Sequence, residues 1–434
     1  MNQNRAPSLL SVFGSRKMAA ILFLGFASGL PLFLTSQTLQ AWMKVEGVDL
    51  TTIGLVSLLG LPYSLKFLWA PLMDRYVPLP GLGRRRGWLV ITQVLLLVTI
   101  AAMSLHDPRR GLQLLAVNAL LIAFFSASQD IAFDAYRVDA LDDRELGAGA
   151  SLGVLGYRIA LLLTGGAALV LADRMPWPTV YLLMGLLMVV GIGASLLAPE
   201  PVTRVGRPVS LGEAVIQPFA EFFGRTGAGL GVLLLFFTVF YQLADRLAAN
   251  MATPFLLEVG FTQTDIGVVK GGIGLGATIV GVLVGGALIA KIGINRSVWL
   301  FAFLQVGSNL AYYWVAVAGA ERSRLVTAIV VENFCGGLVT AVFVAFMMSL
   351  CSKQFSATQY ALLSSLMAFA RDLLASPAGK IAESTGWPTF FLLTIAAGIP
   401  AIILLPLVVP WNRDAPRGAA EHTGEVTDRP EEST

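Results

Sequence analysis

Residues 112–140 read LQLLAVNALLIAFFSASQDIAFDAYRVDA. Leu112 to Ser128 hold no charge, and Asp130, Asp134, Arg137 and Asp139 then follow in quick succession. A bilayer core of about 30 Å is crossed by about 20 apolar helical residues. This run, continued to about residue 138, therefore reads as a membrane span with carboxylates at one end. Working outward, apolar blocks of similar length recur at roughly 18–42, 52–73, 88–105, 146–171, 178–198, 228–250, 264–290, 297–317, 324–350, 357–380 and 388–410. With 112–138 they make twelve. Composition agrees: 56% of the 434 residues are apolar, 13% are charged, and mean hydropathy is +0.74. A soluble protein carries roughly 25% charged residues.

The longest internal polar stretch, 199–227, holds Pro199, Glu200, Pro201, Arg204, Arg207 and Pro208 and parts two groups of six spans. The expected organisation is a six-helix bundle over 1–198, a cytoplasmic connector over 199–227, a second bundle over 228–410 and a disordered tail over 411–434. With both termini inside, the inner side holds 18 Lys and Arg against 7 outside. The positive-inside rule favours that orientation. Arg16 and Lys17 precede a run too long for a signal peptide, which reads as a retained first span.

The halves look like weak repeats. APLMDRYVPLPGLGRRRGW (70–88) follows the second span and GALIAKIGINRSVW (286–299) follows the eighth, and both are short basic turns. The predicted class is an all-α polytopic membrane protein with twelve helices. The pattern resembles the 6+6 pseudo-symmetric major facilitator fold, in which a site lies between halves near mid-membrane. The first turn also resembles that superfamily's loop motif, an acid and basic cluster that lock helices together. Here the latch is Asp74, Arg75, Arg84, Arg85 and Arg86, with Arg137 reading as a cytoplasmic latch residue beside Asp134.

Charges inside spans need a partner or a cavity, since each costs about 2.5–3.5 kcal/mol in hydrocarbon on insertion scales. Asp130, Asp134 and Arg137 recur at helical spacing on one face. Asp130 lies deeper than Arg137 and reads as a proton or substrate site. Lys66 neutralises Asp130 or Asp134 if the second and fourth spans are neighbours, or else snorkels. Arg158 lies mid-span, where snorkelling is least available. Glu332 and Lys270 are about two turns into their spans. Arg371 and Asp372 are adjacent and point different ways. Asp245 and Arg246 read as a solvated outer rim. Pro31 and the polar run of Thr35, Ser36, Gln37 and Gln40 suggest an irregular first span facing a cavity. GGIGLGATIVGVLVGG (271–286) reads as close helix packing rather than nucleotide binding.

Several function classes are disfavoured. A net charge of +3 is too small to imply nucleic acid. GASLG (149–153) fits a nucleophile-elbow pattern, but it starts a span and the only histidines are His106 and His422. Neither H-E-x-x-H nor a Walker A sequence occurs. Cys335 and Cys351 give no disulfide framework and no metal spacing. No cofactor is expected.

GFASGLPLFLTSQTLQAWM, KFLWAPLMDRY, GRRRGW, SQDIAFDAYRVDAL and GAGASLGVLGYRIALLLTGGAAL together resemble the AmpG family of muropeptide permeases. In the second half ADRLAANMATPFLLEVGFTQTDIGVVKG and YALLSSLMAFARDLLASPAGKIAE carry the likeness. The resemblance implies proton-driven import of anhydromuropeptides across the bacterial inner membrane for cell-wall recycling, with β-lactamase induction in some hosts. The expected partners are that substrate, protons and the lipid bilayer, and the expected state is a monomer. Asp130, Asp134 and Glu332 are then the proton-coupling candidates. Gln37, Gln40, Lys66, Gln129, Arg158, Lys270 and Arg371 are the substrate-binding candidates, the cations meeting substrate carboxylates. The LKFLWAPL and QDIAFD stretches also resemble acetyl-CoA transporters. A non-transporting membrane sensor of the same fold is a further alternative.

Overall fold

Helix follows helix because each apolar block must satisfy its backbone internally. The computed structural model describes residues 14–49, 52–53, 56–109, 111–201, 210–375 and 377–409, without side-chain detail at 57, 211, 250, 263–264 and 369–375. The expected tail and connector residues 202–209 lie outside the described residues. Among the described residues, ten helices are long and apolar enough to cross a membrane. They are α1 (Arg16–Val45), α3 (Arg84–Leu105), α4 (Leu112–Ala140), α5 (Leu146–Ala172), α6 (Trp177–Leu197), α7 (Ala228–Val259), α8 (Asp265–Ile292), α9 (Ile294–Ala318), α10 (Arg322–Leu350) and α12 (Trp387–Val408). The remaining two expected spans are broken. α2 consists of Val56–Gly60, Leu61–Leu65, Lys66–Leu68 and Ala70–Arg75, and α11 of Ser356–Ala375 and Ala378–Thr385. Pro62, Pro71 and Pro377 stand at these restarts, where a missing N–H costs least.

α1 is interrupted as well, but at Thr35–Ser36 rather than at Pro31. Ser36 N–H turns to Phe33 O, and Ser36 Oγ donates to the freed Leu32 O at 2.7 Å, while Thr35 Oγ1 donates at 3.0 Å to Pro31 O beside the Thr35 N–H. α5 and α8 each contain a π-helical turn, Leu162–Ala167 and Val269–Gly274. Thr38 Oγ1 donates to Thr164 O at 2.6 Å, so the break in α1 rests on the bulge in α5.

Glycine sets the closest crossings. A Cβ at Gly156 would sit 2.0 Å from Leu22 O, and one at Gly25 would sit 2.3 Å from Gly153 O, so α1 and α5 touch backbone to backbone. α8 and α10 meet likewise, with Gly281 against Phe334 O at 2.2 Å and Gly337 against Thr278 O at 2.5 Å. Without a hydrophobic drive between helices in lipid, such close packing supplies the attraction. The glycine-dense stretch at 271–286 thus serves the packing expected of it. Outward-facing Val98, Leu114, Phe303 and Ile403 remain exposed, as a lipid-facing belt requires.

The polar connector contains a helix that its composition did not announce, Leu211–Thr226. Ser210 and Glu213 form a capping box at its start. Gln359 Nε2 donates to Pro218 O at 2.9 Å and Glu221 Oε2 at 2.7 Å, tying this helix to α11. Between the first and last six spans, α5 packs on α8 and α10, while α4 and α2 pack on α11. Ser151 Oγ lies 2.8 Å from Val282 O and 2.9 Å from Gly147 O, so the residue in the elbow-like GASLG bridges α5 and α8.

Candidate functional site

Three groups of charge lie along the seam between the first and last six spans. The first is at the end carrying the α2–α3 turn. Arg85, 1% exposed, donates to Asp74 Oδ1 at 2.8 Å, Asp139 Oδ2 at 2.6 Å and Ser356 Oγ at 2.6 Å. Asp74 in turn accepts from the Ala357 and Thr358 N–H groups at 3.2 and 2.8 Å, and from Thr358 Oγ1 at 2.8 Å. These are orphan donors at the start of α11, where the helix dipole favours an anion. Glu200 does the same for α3, accepting from the Arg85 and Arg86 N–H groups at 2.9 and 3.0 Å. Arg84 NH1 donates to Asp74 O at 2.8 Å, and Arg86 Nε to Ser195 O at 2.9 Å. Arg75 instead lays its guanidinium 5.2 Å from the Tyr76 ring centroid. Of the expected latch residues, Asp74, Arg84, Arg85 and Arg86 thus come together, joined by Asp139 and Glu200. Arg75 and Arg137 do not join them: Arg137 meets Asp134 on its own helix. Neither Asp139 nor Glu200 was singled out, because each is a terminal acid that reads as solvated until its distant partners are known.

The second group follows α4. Asp134 is held between Lys66 Nζ, at 3.4 Å, and Arg137, all three buried. Arg137 also lies over the Phe133 ring, 4.5 Å from its centroid, and 3.4 Å from Tyr360 Oη on α11. Of the two acids proposed for Lys66, Asp134 is the one it meets. Asp130, a turn away, accepts from Ser28 Oγ at 2.5 Å, and no cation pairs with it among the described residues. Gln129 is fully buried with both amide atoms unpartnered.

The third group lines a cavity of about 190 Å³ between α5 and α7–α10. Arg158, Lys270 and Glu332 meet there with Asp245 and Arg246. The reading of Asp245 and Arg246 as a solvated rim is corrected: α7 is interrupted at Tyr241–Gln242 but continues to Val259, so both stand midway along the span, in the first turn after the break, and face the cavity. Both π-turns neighbour this group, one containing Lys270 and the other one turn beyond Arg158. π-turns recur at functional sites. Gln37 is exposed and Gln40 half-buried, and neither lines this cavity. The Arg371 and Asp372 side chains lie outside the described residues.

The sequence profile of the Major Facilitator Superfamily matches residues 21–375. The anhydromuropeptide permease of Escherichia coli K12 is 49% identical over 398 residues, covering 91% of this chain and 80% of the relative. A putative transporter AmpG 4 of Rickettsia felis is 32% identical over 92% of this chain and 97% of its own. The chain belongs to the AmpG family of the Major Facilitator Superfamily. Its relatives are transporters, so the chain is a transporter and not an enzyme. Two solved structures share the fold. The human organic anion transporter MFSD10 superposes with TM-score 0.67 at 16% identity, covering 90% of this chain and 99% of its own. The proton:xylose symporter XylE also reaches 0.67, at 10% identity, covering 92% of this chain and 97% of its own. This AmpG-family chain is therefore a multi-pass membrane protein with an all-α architecture.

Proposed function

We propose that the protein is a proton-coupled secondary transporter that imports anhydromuropeptides, GlcNAc-1,6-anhydro-MurNAc and its peptides, from periplasm to cytoplasm for cell-wall recycling. The observation that carries the reading is the charged cavity between α5 and α7–α10 in a chain 49% identical to an anhydromuropeptide permease. The protein sits in the inner membrane as a monomer, with residues 1–198 and 228–410 as the two moving bundles and both termini cytoplasmic. The end closed by Asp74 and Arg85 is then cytoplasmic, and the conformer is sealed toward the cell interior.

Moving an anion inward opposes the membrane potential by about 2.3 kcal/mol per charge per 100 mV. Protons carried on membrane carboxylates offset that cost. Asp130 is the first candidate, because a hydroxyl and no cation meets it. Asp134, held between Lys66 and Arg137, is the second candidate in the first half, and Glu332 is the candidate in the second half. Lys66, Arg158, Lys270 and Arg371 are the proposed contacts for substrate carboxylates, with Gln37, Gln40 and Gln129 as polar contacts.

The test is uptake by spheroplasts of a strain lacking its own permease. Cells expressing this chain should accumulate labelled anhydro-disaccharide peptide, and control cells should not. Equal accumulation in both, with the protein present in the membrane, contradicts the assignment.

A further inference from the structure

Opposite charges among the five in the cavity attract one another across it, but among the described residues no two of opposite sign come into direct ion-pair contact. Among the described residues, no carboxylate pairs with Arg158, Arg246 or Lys270. Neutral groups orient them instead. Arg246 NH2 donates to Gln242 Oε1 at 3.1 Å, and Lys270 Nζ to Thr253 Oγ1 at 3.0 Å. Asp245 accepts from Gln305 Nε2 at 3.0 Å and Glu332 from Asn333 Nδ2 at 2.7 Å. Arg158 Nε is enclosed and has no hydrogen-bond partner. A charge removed from water is normally matched by a counter-charge or a full set of hydrogen bonds. Here opposite charges share one cavity yet are held apart, each keeping unused donors or acceptors. That arrangement suits a ligand that brings the missing counter-charges itself. Guanidinium forks match carboxylates in particular, because both planes offer two parallel hydrogen bonds.

We propose that Arg158, Arg246 and Lys270 form a carboxylate clamp that holds the ionised peptide portion of the ligand, while Asp245 takes an ammonium group of the same portion. The clamp reaches the ligand from α5 on one side and from α7 and α8 on the other. Three cations against two acids select a peptide with more carboxylates than ammonium groups. The inference rests on the transport reading above and deepens it by assigning discrimination according to peptide charge.

Binding to the purified full-length protein, followed by calorimetry, tests it with three probes. They are the anhydro-disaccharide tetrapeptide with free carboxylates, the same molecule with those carboxylates amidated, and the disaccharide with its lactyl group capped as a methylamide. The wild type should prefer the free-acid peptide over the amidated one by about tenfold or more, as loss of one charge-assisted hydrogen bond implies. Arg158→Gln and Arg246→Gln should each reduce that preference to about threefold or less. Arg246→Lys, which retains the charge, should keep part of it, and that separates a lost contact from a lost fold. Equal affinity of the wild type for free-acid and amidated peptides overturns the clamp and leaves the transport reading standing. An undiminished preference in both Gln variants overturns it too. If the folded wild type binds none of the three probes, the transport reading falls and the clamp with it.

Discussion

Asp130 and Asp134 stand one turn apart on α4 and meet different surroundings. Asp134 is bracketed by Lys66 and Arg137, while Asp130 meets Ser28. Asp130→Asn should therefore abolish proton-driven uptake and leave the fold intact, as read by transport beside thermal melting. Wild-type uptake in a properly inserted Asp130→Asn protein would sink that role. Lys66→Met should instead cost stability, but less than the ~3–5 kcal/mol of orphaning a buried charge, because Arg137 still faces Asp134. Asp134→Asn, which leaves both Lys66 and Arg137 without their carboxylate, should cost more in a denaturation series, and a Lys66→Met protein at least as unstable as Asp134→Asn would contradict the shared pairing. A Lys66 contact to this face of α4 was legible as a choice between Asp130 and Asp134, because helical spacing fixes the face, but which acid it meets depends on how the second and fourth spans pack. Asp139 was not legible, since its partner Arg85 comes from a turn 54 residues away. Asp245 was misplaced by ending the seventh span at about residue 250, when α7 runs on to Val259. Its cavity neighbours come from four other helices, α5 and α8–α10, and no spacing in the sequence brings those together.

Single elements carry the conformational argument. α11 begins on Asp74, a side chain from α2, so the closed end depends on one carboxylate capping a helix across the seam. An N-cap is worth about 1 kcal/mol, and the Arg85 and Asp139 contacts add to it. Asp74→Asn should shift the population toward an open basic end. Spin labels at the exposed Asp143 and Arg296, with both native cysteines replaced, would report it as a longer distance between the α4–α5 and α8–α9 turns. An unchanged distance distribution would remove Asp74 from the latch. Close crossings make a second prediction. Gly156→Leu drives a side chain into the Leu22 carbonyl and should prevent stable folding, whereas Gly307→Ala meets nothing within 4 Å and should leave the melting temperature unchanged or slightly raised. Expression and melting in detergent check both. The apolar blocks, their order and the glycine-dense packing face were readable from sequence. An irregular α1 was readable too, though not that its break falls at Thr35–Ser36; the breaks in α2 and α11 and the connector helix were not readable. Each depends on which neighbour satisfies the freed backbone, and hydropathy does not encode that.

At the scale of the whole molecule, charge along one seam is the common thread. A sealed basic end, a cation-bracketed acid on α4 and a cavity of separated charges all lie where the first and last six spans meet. The family fixes the kind of machine, and the placement of charge suggests what it moves and what drives it. The account requires that substrate accumulation draw on protons. The direct measurement is uptake of labelled anhydromuropeptide into proteoliposomes, with an imposed inward proton gradient, without one, and with a protonophore. Accumulation that follows the gradient and collapses with the protonophore is the predicted result. Equilibration to the same level in all three conditions would contradict it, leaving a permease that does not couple to protons.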